Sequence, residues 1–415
     1  MSRLLVIMID GVSAPYFQRR RVNLPNLNAL AAGGLTVERV AADVPGTSLP
    51  GRTSMLTGVP ANEHGVFGNT IWDGHQFRYA NPDDVRVPTL PATALEHGLR
   101  AAVVGFGMVR PEDATIFKGP WWANEMLQRA RDEAPIAADE SWLRTSKAPD
   151  SGGEWERLAL QGYETTVPDA YAGDIMHNLL SGAAGDRTMM RWSAALATSD
   201  DPPDLIITEI LLTDSIQHFY GQDHPFSDWA IGFADDLVGT LVAALARAGR
   251  LHDTTIMVTS DHGHGEVNRA LYTDRLLPGR QVSSEGSVLI ARIADETDAD
   301  ELNQALAVHG VTRLASDYLP EDRRAALALF CAPDGHSFER RPAVDGVDPA
   351  APSGPPKYRS NHGFRPGHPD DDRFAILAGP GIEPTVRQRA AAEDIAATAA
   401  KIIGLHGFGK GEPFV

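Results

Sequence analysis

Continuous apolar runs punctuate this chain, and several of them end on acidic residues. Leu4–Ile9 (LLVIMI) runs into Asp10-Gly11, Leu205–Leu212 (LIITEILL) stops before Asp214, and TTIMVT stops at Ser260-Asp261. Ala101–Gly105 (AAVVG) and Phe374–Leu377 (FAIL, before a Gly-Pro-Gly turn) have the same character. Runs without alternation predict strands buried on both faces, as a parallel sheet requires. Helical patterns lie between them, notably Trp229–Ala248 and Ala391–Ile403. Strands alternating with helices predict a layered α/β/α sandwich around a mostly parallel central sheet.

Two stretches break the rhythm. Residues 111–198 carry Trp121, Trp122, Trp142, Trp155 and a Ser-Gly-Gly turn at 151–153, and residues 276–356 end in the Pro-rich run RPAVDGVDPAAPSGPP. Both are expected to be cap or insertion segments on a single catalytic domain spanning 1–415, the Pro-rich run being a surface loop.

Composition narrows the function. A net charge of −18 argues against a nucleic-acid polymer as partner, because that role needs a Lys/Arg surface. It leaves a small phosphorylated substrate open, since bound metals supply local positive charge that the total conceals. The single cysteine, Cys331, excludes an internal disulfide and a cysteine-rich zinc site, and is read as buried filler. Leu4–Ile9 is too short for a secretory core, and no apolar stretch is read as approaching the ~20 residues of a membrane helix. No membrane partner and a cytoplasmic location are therefore the expectations; the oligomeric state is not legible.

The polar residues of interest sit where strands end: Asp10, then Asp214 and His218, then Asp261 and His262. Ligands of open α/β sheets bind beyond the carboxyl ends of the strands, so groups far apart in sequence can converge there. Each has an ordinary reading, as a helix cap, a surface histidine on a helix, or a plain turn. With His362, in Ser360-Asn361-His362-Gly363, they supply three Asp and three His, enough N and O donors for two metal sites.

The remaining motif is Val44-Pro45-Gly46-Thr47-Ser48-Leu49-Pro50-Gly51-Arg52, followed by Thr57-Gly58, His64-Gly65 and Asn69. Together with Asp214-x-x-x-His218-x-x-Gly221, Ser260-Asp261-His262-Gly263 and Asn361-His362-Gly363, it resembles the nucleotide pyrophosphatase/phosphodiesterase branch of the alkaline phosphatase superfamily, in family order over residues 10 to 363. The resemblance implies an alkaline phosphatase-like fold and two divalent metal ions, zinc by family habit. Asp10, Ser48, Asp261 and His262 would hold one ion, and Asp214, His218 and His362 the other. It further implies that Ser48 is the catalytic nucleophile of a phosphohydrolase acting through a phosphoseryl intermediate. Asn69, with a backbone N–H near Ser48, would donate to a phosphoryl oxygen. The bond cleaved would be a phosphodiester, pyrophosphate or phosphomonoester.

Three alternatives stand beside this. Ser48-Leu49-Pro50-Gly51-Arg52 also fits the Ser-x-Pro-x-Arg signature of sulfatases, which oxidise that serine to formylglycine, but a one-metal sulfatase site would leave Asp214, His218 and His362 without a role. Phosphonoacetate hydrolases share the two-metal constellation and cleave a C–P bond. A non-catalytic metal-binding protein would be expected to have lost a ligand or the nucleophile. The chain also departs from the nucleotide hydrolases. Leu49 stands where they often place an aromatic residue, so a nucleobase platform would have to come from Trp72, Trp121, Trp122 or Tyr220. Arg52 is read equally as a contact to an anionic substrate or as a helix-surface arginine. His264 is left as an alternative ligand or substrate contact, with His262 preferred beside Asp261.

Overall fold

The computed structural model describes residues 2–122, 175–344 and 346–415, with the side chains of 175–181 excepted. Trp142, Trp155 and the Ser-Gly-Gly turn lie outside the described residues.

The apolar runs form the centre of an eight-stranded sheet. Numbering only the strands of this sheet, β1 is Arg3–Ile9, β2 Leu35–Val40, β3 Ala101–Val104, β4 Ile116–Lys118, β5 Leu205–Ile210, β6 Thr254–Thr259, β7 Arg373–Ala378 and β8 Thr385–Arg387. Their spatial order is β8-β2-β7-β6-β1-β5-β3-β4. All neighbouring pairs are parallel except those made by β7, which runs antiparallel to both β2 and β6. The central strands β1, β5 and β6 are buried almost end to end, so helices cover both faces, as the lack of alternation predicted.

Register does the functional work. Ile9 of β1 faces Ile210 of β5, and Met8 faces Thr259 of β6. The three strands therefore end level, and the residues that follow them (Asp10, Leu211 to Asp214, Ser260-Asp261) emerge at one edge.

The helices that matter for the site are α1 (Ser48–Thr57), α2 (Ile175–Ala197), α3 (Leu212–Tyr220) and α4 (Pro225–Arg247). Helix α4 is, contrary to the sequence expectation, long and apolar enough to span a membrane by length and composition. In the fold it packs against α2, α3 and the helix Pro25–Gly33. Its buried face carries Ala230, Ile231, Ala234, Val238, Leu241 and Leu245, and the buried carboxylate of Asp235 accepts the Leu27 N–H at 2.7 Å.

The two segments expected to be insertions behave differently. Within 111–198, Ile116–Lys118 is an edge strand of the central sheet and α2 packs on β5. Within 276–356, the strands Val282–Glu285, Val288–Arg292, Thr312–Arg313 and Leu327–Cys331 make a separate four-stranded sheet. Its outer face has a small core of its own around Leu289, Phe330 and Leu302. Cys331 lies buried in its last strand, and burial pushes its thiol up to about 12, consistent with filler.

Candidate active site

Ser48 is the first residue of α1, after Thr47 in extended conformation. The sharp entry aims the Ser48 side chain at the strand ends, and its Oγ lies 3.0 Å from His262 Nε2. Helix α1 is buried from Leu49 through Thr57, because it lies between the sheet and the chain behind it. Gly51 explains how close it comes: a Cβ there would meet the Asp261 carbonyl oxygen at 2.2 Å. Gly11 serves the neighbouring turn, with φ at +70° and no room for a Cβ beside His264 and Asp214.

Two groups of donor atoms form where β1, β5 and β6 end. Asp10, Asp261 and His262 make one; Asp214, His262, His264 and His362 make the other, with ligand atoms in each group within 4.8 Å of one another. His262 Nε2 stands 3.3 Å from Asp10 Oδ1 and 3.6 Å from Asp261 Oδ2. Asp214 Oδ1 is approached by Nε2 of His264 at 2.7 Å, of His218 at 3.5 Å and of His362 at 4.0 Å. His362 is brought in by a short antiparallel bridge, Ser360–Asn361 against Gly265–Glu266.

The donor set fits divalent metals on several observations. Among the described residues, Asp10 Oδ1 and His362 Nδ1 are buried without a hydrogen-bond partner, an arrangement that a cation would relieve. Nδ1 of His262 faces the Gly263 carbonyl at 2.8 Å and Nδ1 of His218 the Ser360 carbonyl at 3.0 Å. A carbonyl only accepts, so Nδ1 carries a proton in each ring and Nε2 is the nitrogen turned to the cluster. In the metal-free fold His262 keeps a second proton, on Nε2, where a cation would bind. Burial alone would lower His262, but the carboxylates of Asp261 and Asp10 outweigh it and hold the ring up at about 10. Burial together with the Asp10 charge raises Asp261 to about 6, and burial lowers His218 to about 4. Negative charge is thus crowded around ring nitrogens, as a site built for cations requires.

The sequence-derived residues Asp10, Ser48, Asp214, His218, Asp261, His262 and His362 all meet here. Asn69 arrives with a changed role for its neighbour: its Oδ1 accepts the Leu49 N–H at 2.8 Å, so that backbone donor is occupied. The same bond fixes the amide and leaves Nδ2 as the donor group turned from Leu49. Glu285 holds this segment by accepting from the N–H groups of Asn69 and Thr70 at 2.7 and 2.9 Å.

Arg52 is not a helix-surface arginine. It is 1% exposed and ion-paired to three carboxylates: Asp10, Asp261 at 2.7 Å and Glu209 at 2.9 Å. Trp122 closes the group, donating its indole N–H to Glu209 while its ring lies 5.5 Å from the Arg52 guanidinium carbon. Of the aromatic residues considered as base platforms, only Trp122 lines the cavity, with Tyr79, Leu49 and Leu211 as its other apolar lining. Trp72 instead packs edge-on against Phe77, and Tyr220 stacks on His224. The cavity holds about 160 Å³ and also exposes Ser48, Asn69, Asp214, His218 and His362.

Asp186 was invisible to sequence reasoning. From α2 it accepts the indole N–H of Trp121 at 2.8 Å and the backbone N–H of Leu212 at 2.9 Å, with a third bond from Leu211 at 3.1 Å. Helix α3 has no side-chain cap of its own, so this remote carboxyl caps the helix that carries Asp214 and His218. Burial raises Asp186 to about 7. Between pH ~4, the unfolded value, and pH ~7 the folded state therefore binds the extra proton. The stability this confers is complete below the lower limit and lost as pH rises through the upper one. Asp186→Asn removes the titration. The stability of the wild type relative to this variant is expected to fall by on the order of 2–3 kcal/mol from pH 5 to pH 8, read from urea midpoints of metal-free protein. A constant difference would show that Asp186 stays ionised in the fold.

Known proteins resemble this chain in sequence and in fold. An uncharacterized pyrophosphatase/phosphodiesterase of Schizosaccharomyces pombe is 23% identical over 306 residues, covering 72% of this chain and 53% of that protein. Human N-sulphoglucosamine sulphohydrolase is 25% identical over 267 residues, covering 63% of this chain and 50% of that protein. The chain thus spans about half the length of the curated relatives it matches. An inactive variant of murine ectonucleotide pyrophosphatase/phosphodiesterase 5 in complex with AMP shares the fold, with a TM-score of 0.67 at 17% identity, over 99% of this chain and 98% of that one. A sequence model of the type I phosphodiesterase/nucleotide pyrophosphatase family matches residues 4–330, and the chain belongs to that family.

Proposed function

We propose that the protein is a metal-dependent phosphohydrolase that cleaves a phosphodiester or pyrophosphate of a small molecule through a phosphoseryl intermediate on Ser48. The observation that carries this is the placement of the Ser48 hydroxyl at the start of α1, 3.0 Å from the histidine shared by both donor groups. Asp10, Asp261 and His262, with Ser48, would hold one divalent ion; Asp214, His218 and His362 would hold the other. Such ions, zinc by the donor set and the family, supply Lewis acidity that favours the serine alkoxide and offsets phosphoryl charge.

The residues of the chain do the rest. The amino end of α1 presents its dipole to an anionic phosphoryl group, and Asn69 Nδ2 is the side-chain donor beside it. Ser48 Oγ bonds to phosphorus as the P–O bond to the leaving group breaks. Water then attacks the phosphoserine, the Oγ–P bond breaks, and phosphate or a phosphomonoester leaves. The apolar side formed by Leu49, Tyr79, Trp122 and Leu211 receives the organic part of the substrate. AMP is bound by the murine relative, which makes a nucleotide the first substrate class to try.

The sulfatase reading keeps one specific support, the Ser-x-Pro-x-Arg motif with a sulphohydrolase among the relatives. The second donor group around Asp214 weighs against it. The two part cleanly in one experiment. Peptide mass spectrometry of metal-replete protein is combined with rates on bis-p-nitrophenyl phosphate, thymidine p-nitrophenyl phosphate, p-nitrophenyl phosphate and p-nitrophenyl sulfate. The expected result is an unmodified Ser48 and diester turnover exceeding monoester turnover. Formylglycine at position 48 with sulfate turnover would overturn the proposal.

A further inference from the structure

The family resemblance assigns seven ligands and leaves His264 out, yet His264 stands inside the second donor group. It is fully buried, and its Nε2 lies nearer Asp214 Oδ1, at 2.7 Å, than that of His218 or His362. Its ligand atom falls within 4.8 Å of those of Asp214, His262 and His362.

The position of its proton decides what His264 can do. Nδ1 is 2.9 Å from Ser360 Oγ, and that hydroxyl is 3.0 Å from the Gly265 carbonyl oxygen. A carbonyl accepts only, so the single Ser360 proton goes to Gly265 and the hydroxyl oxygen accepts from His264 Nδ1–H. Nε2 is then the nitrogen turned to the carboxylate oxygen. At that distance something positive must lie between the two atoms, either a bound metal ion or a second ring proton whose place the metal takes. His218 and His262 have the same arrangement, each with Nδ1 on a backbone carbonyl. Ser360 thus serves two rings: its carbonyl orients His218 and its hydroxyl orients His264.

We infer that His264 is a direct ligand, through Nε2, of the cation held by Asp214. This rests on the two-metal reading above. The second site would then offer Asp214, His218, His264 and His362, four protein donors. Catalytic metal sites commonly offer three and keep a position open, so phosphoryl oxygen could be accepted here only by expansion to five donors or by loss of one.

The test uses full-length protein. Zinc stoichiometry and affinity are measured by competition with a chromogenic chelator for wild type, His264→Ala and His264→Asn. In parallel, the cobalt-substituted wild type is examined by proton NMR, where each ligating histidine with a protected ring N–H gives one strongly shifted exchangeable signal. The expected result is two zinc ions in the wild type and a shifted N–H signal belonging to His264. Both variants should hold the second ion more weakly by more than the ~10–100-fold that loss of an outer-shell partner costs. Imidazole added to His264→Ala should recover part of that loss. Two ions bound with unchanged affinity in a folded variant, or no His264 signal in the cobalt protein, would overturn the inference and leave the proposed function standing. A wild type that binds fewer than two ions would overturn both.

Discussion

Replacing Ser48 with alanine is expected to lower kcat on a phosphodiester by at least ~10³-fold, because removing a nucleophile forfeits the covalent route entirely. The fold should barely register the change. Ser48 is the first residue of α1 and does not cap it; the helix start is set by the extended Thr47 and by the Gly51 N–H bonded to the Thr47 carbonyl at 3.0 Å. A stability change of about 0.5–1.5 kcal/mol is expected, the net worth of the one side-chain hydrogen bond, to His262, that the substitution removes. The donor groups lose one oxygen but keep every carboxylate and histidine, so metal should still bind. Three measurements separate a lost nucleophile from a damaged site: kcat, bound metal, and the phosphopeptide recovered after acid quench. Wild type should yield phosphate on the peptide containing Ser48 and the variant none. Turnover within tenfold of wild type would remove Ser48 from the chemistry.

How much of this was readable without coordinates depends on what each residue's environment depends on. Asp10, Asp214 and Asp261 were legible because an uninterrupted apolar run marks a central parallel strand, and such strands tend to end level. The register of β1 against β5 and β6 is that expectation realised. The strand Ile116–Lys118 was missed because three residues at a sheet edge carry no periodicity to detect. Arg52 was ambiguous because a charged residue on a helix ordinarily marks the solvent face. Helix α1 is covered on all sides, and nothing local announces that. One signal was available: Glu209 is the lone charge inside the buried run LIITEI, and a charge there requires a partner. His264 stands in the sequence only as an alternative ligand or substrate contact because adjacency to Asp261 favours His262. Alternate positions in an extended segment point the same way, so a second histidine two residues on was equally placed to face the site. Asp186 lies 25 residues before the backbone it caps and had no sequence signal at all.

The same Arg52 carries the second large expected effect. Arg52→Met should destabilise metal-free protein by about 3–5 kcal/mol, the cost of breaking a buried ion pair from one side. Three carboxylates lose their partner at once, and Asp10, Asp261 and Glu209 are each no more than 1% exposed. Burial already raises Glu209 to about 7 with Arg52 present, so its removal should protonate Glu209 at neutral pH. Asp10 and Asp261 differ from Glu209, because a divalent ion between them would replace the lost positive charge. Saturating zinc should therefore stabilise the variant more than it stabilises the wild type, whose carboxylates already have a cation beside them. Urea unfolding with and without zinc reads both quantities. If metal stabilises the two proteins equally, Arg52 and the ion do not share those carboxylates, and the guanidinium serves Glu209 and Trp122 alone. If the metal-free variant is as stable as wild type, the buried network is not ionised as drawn.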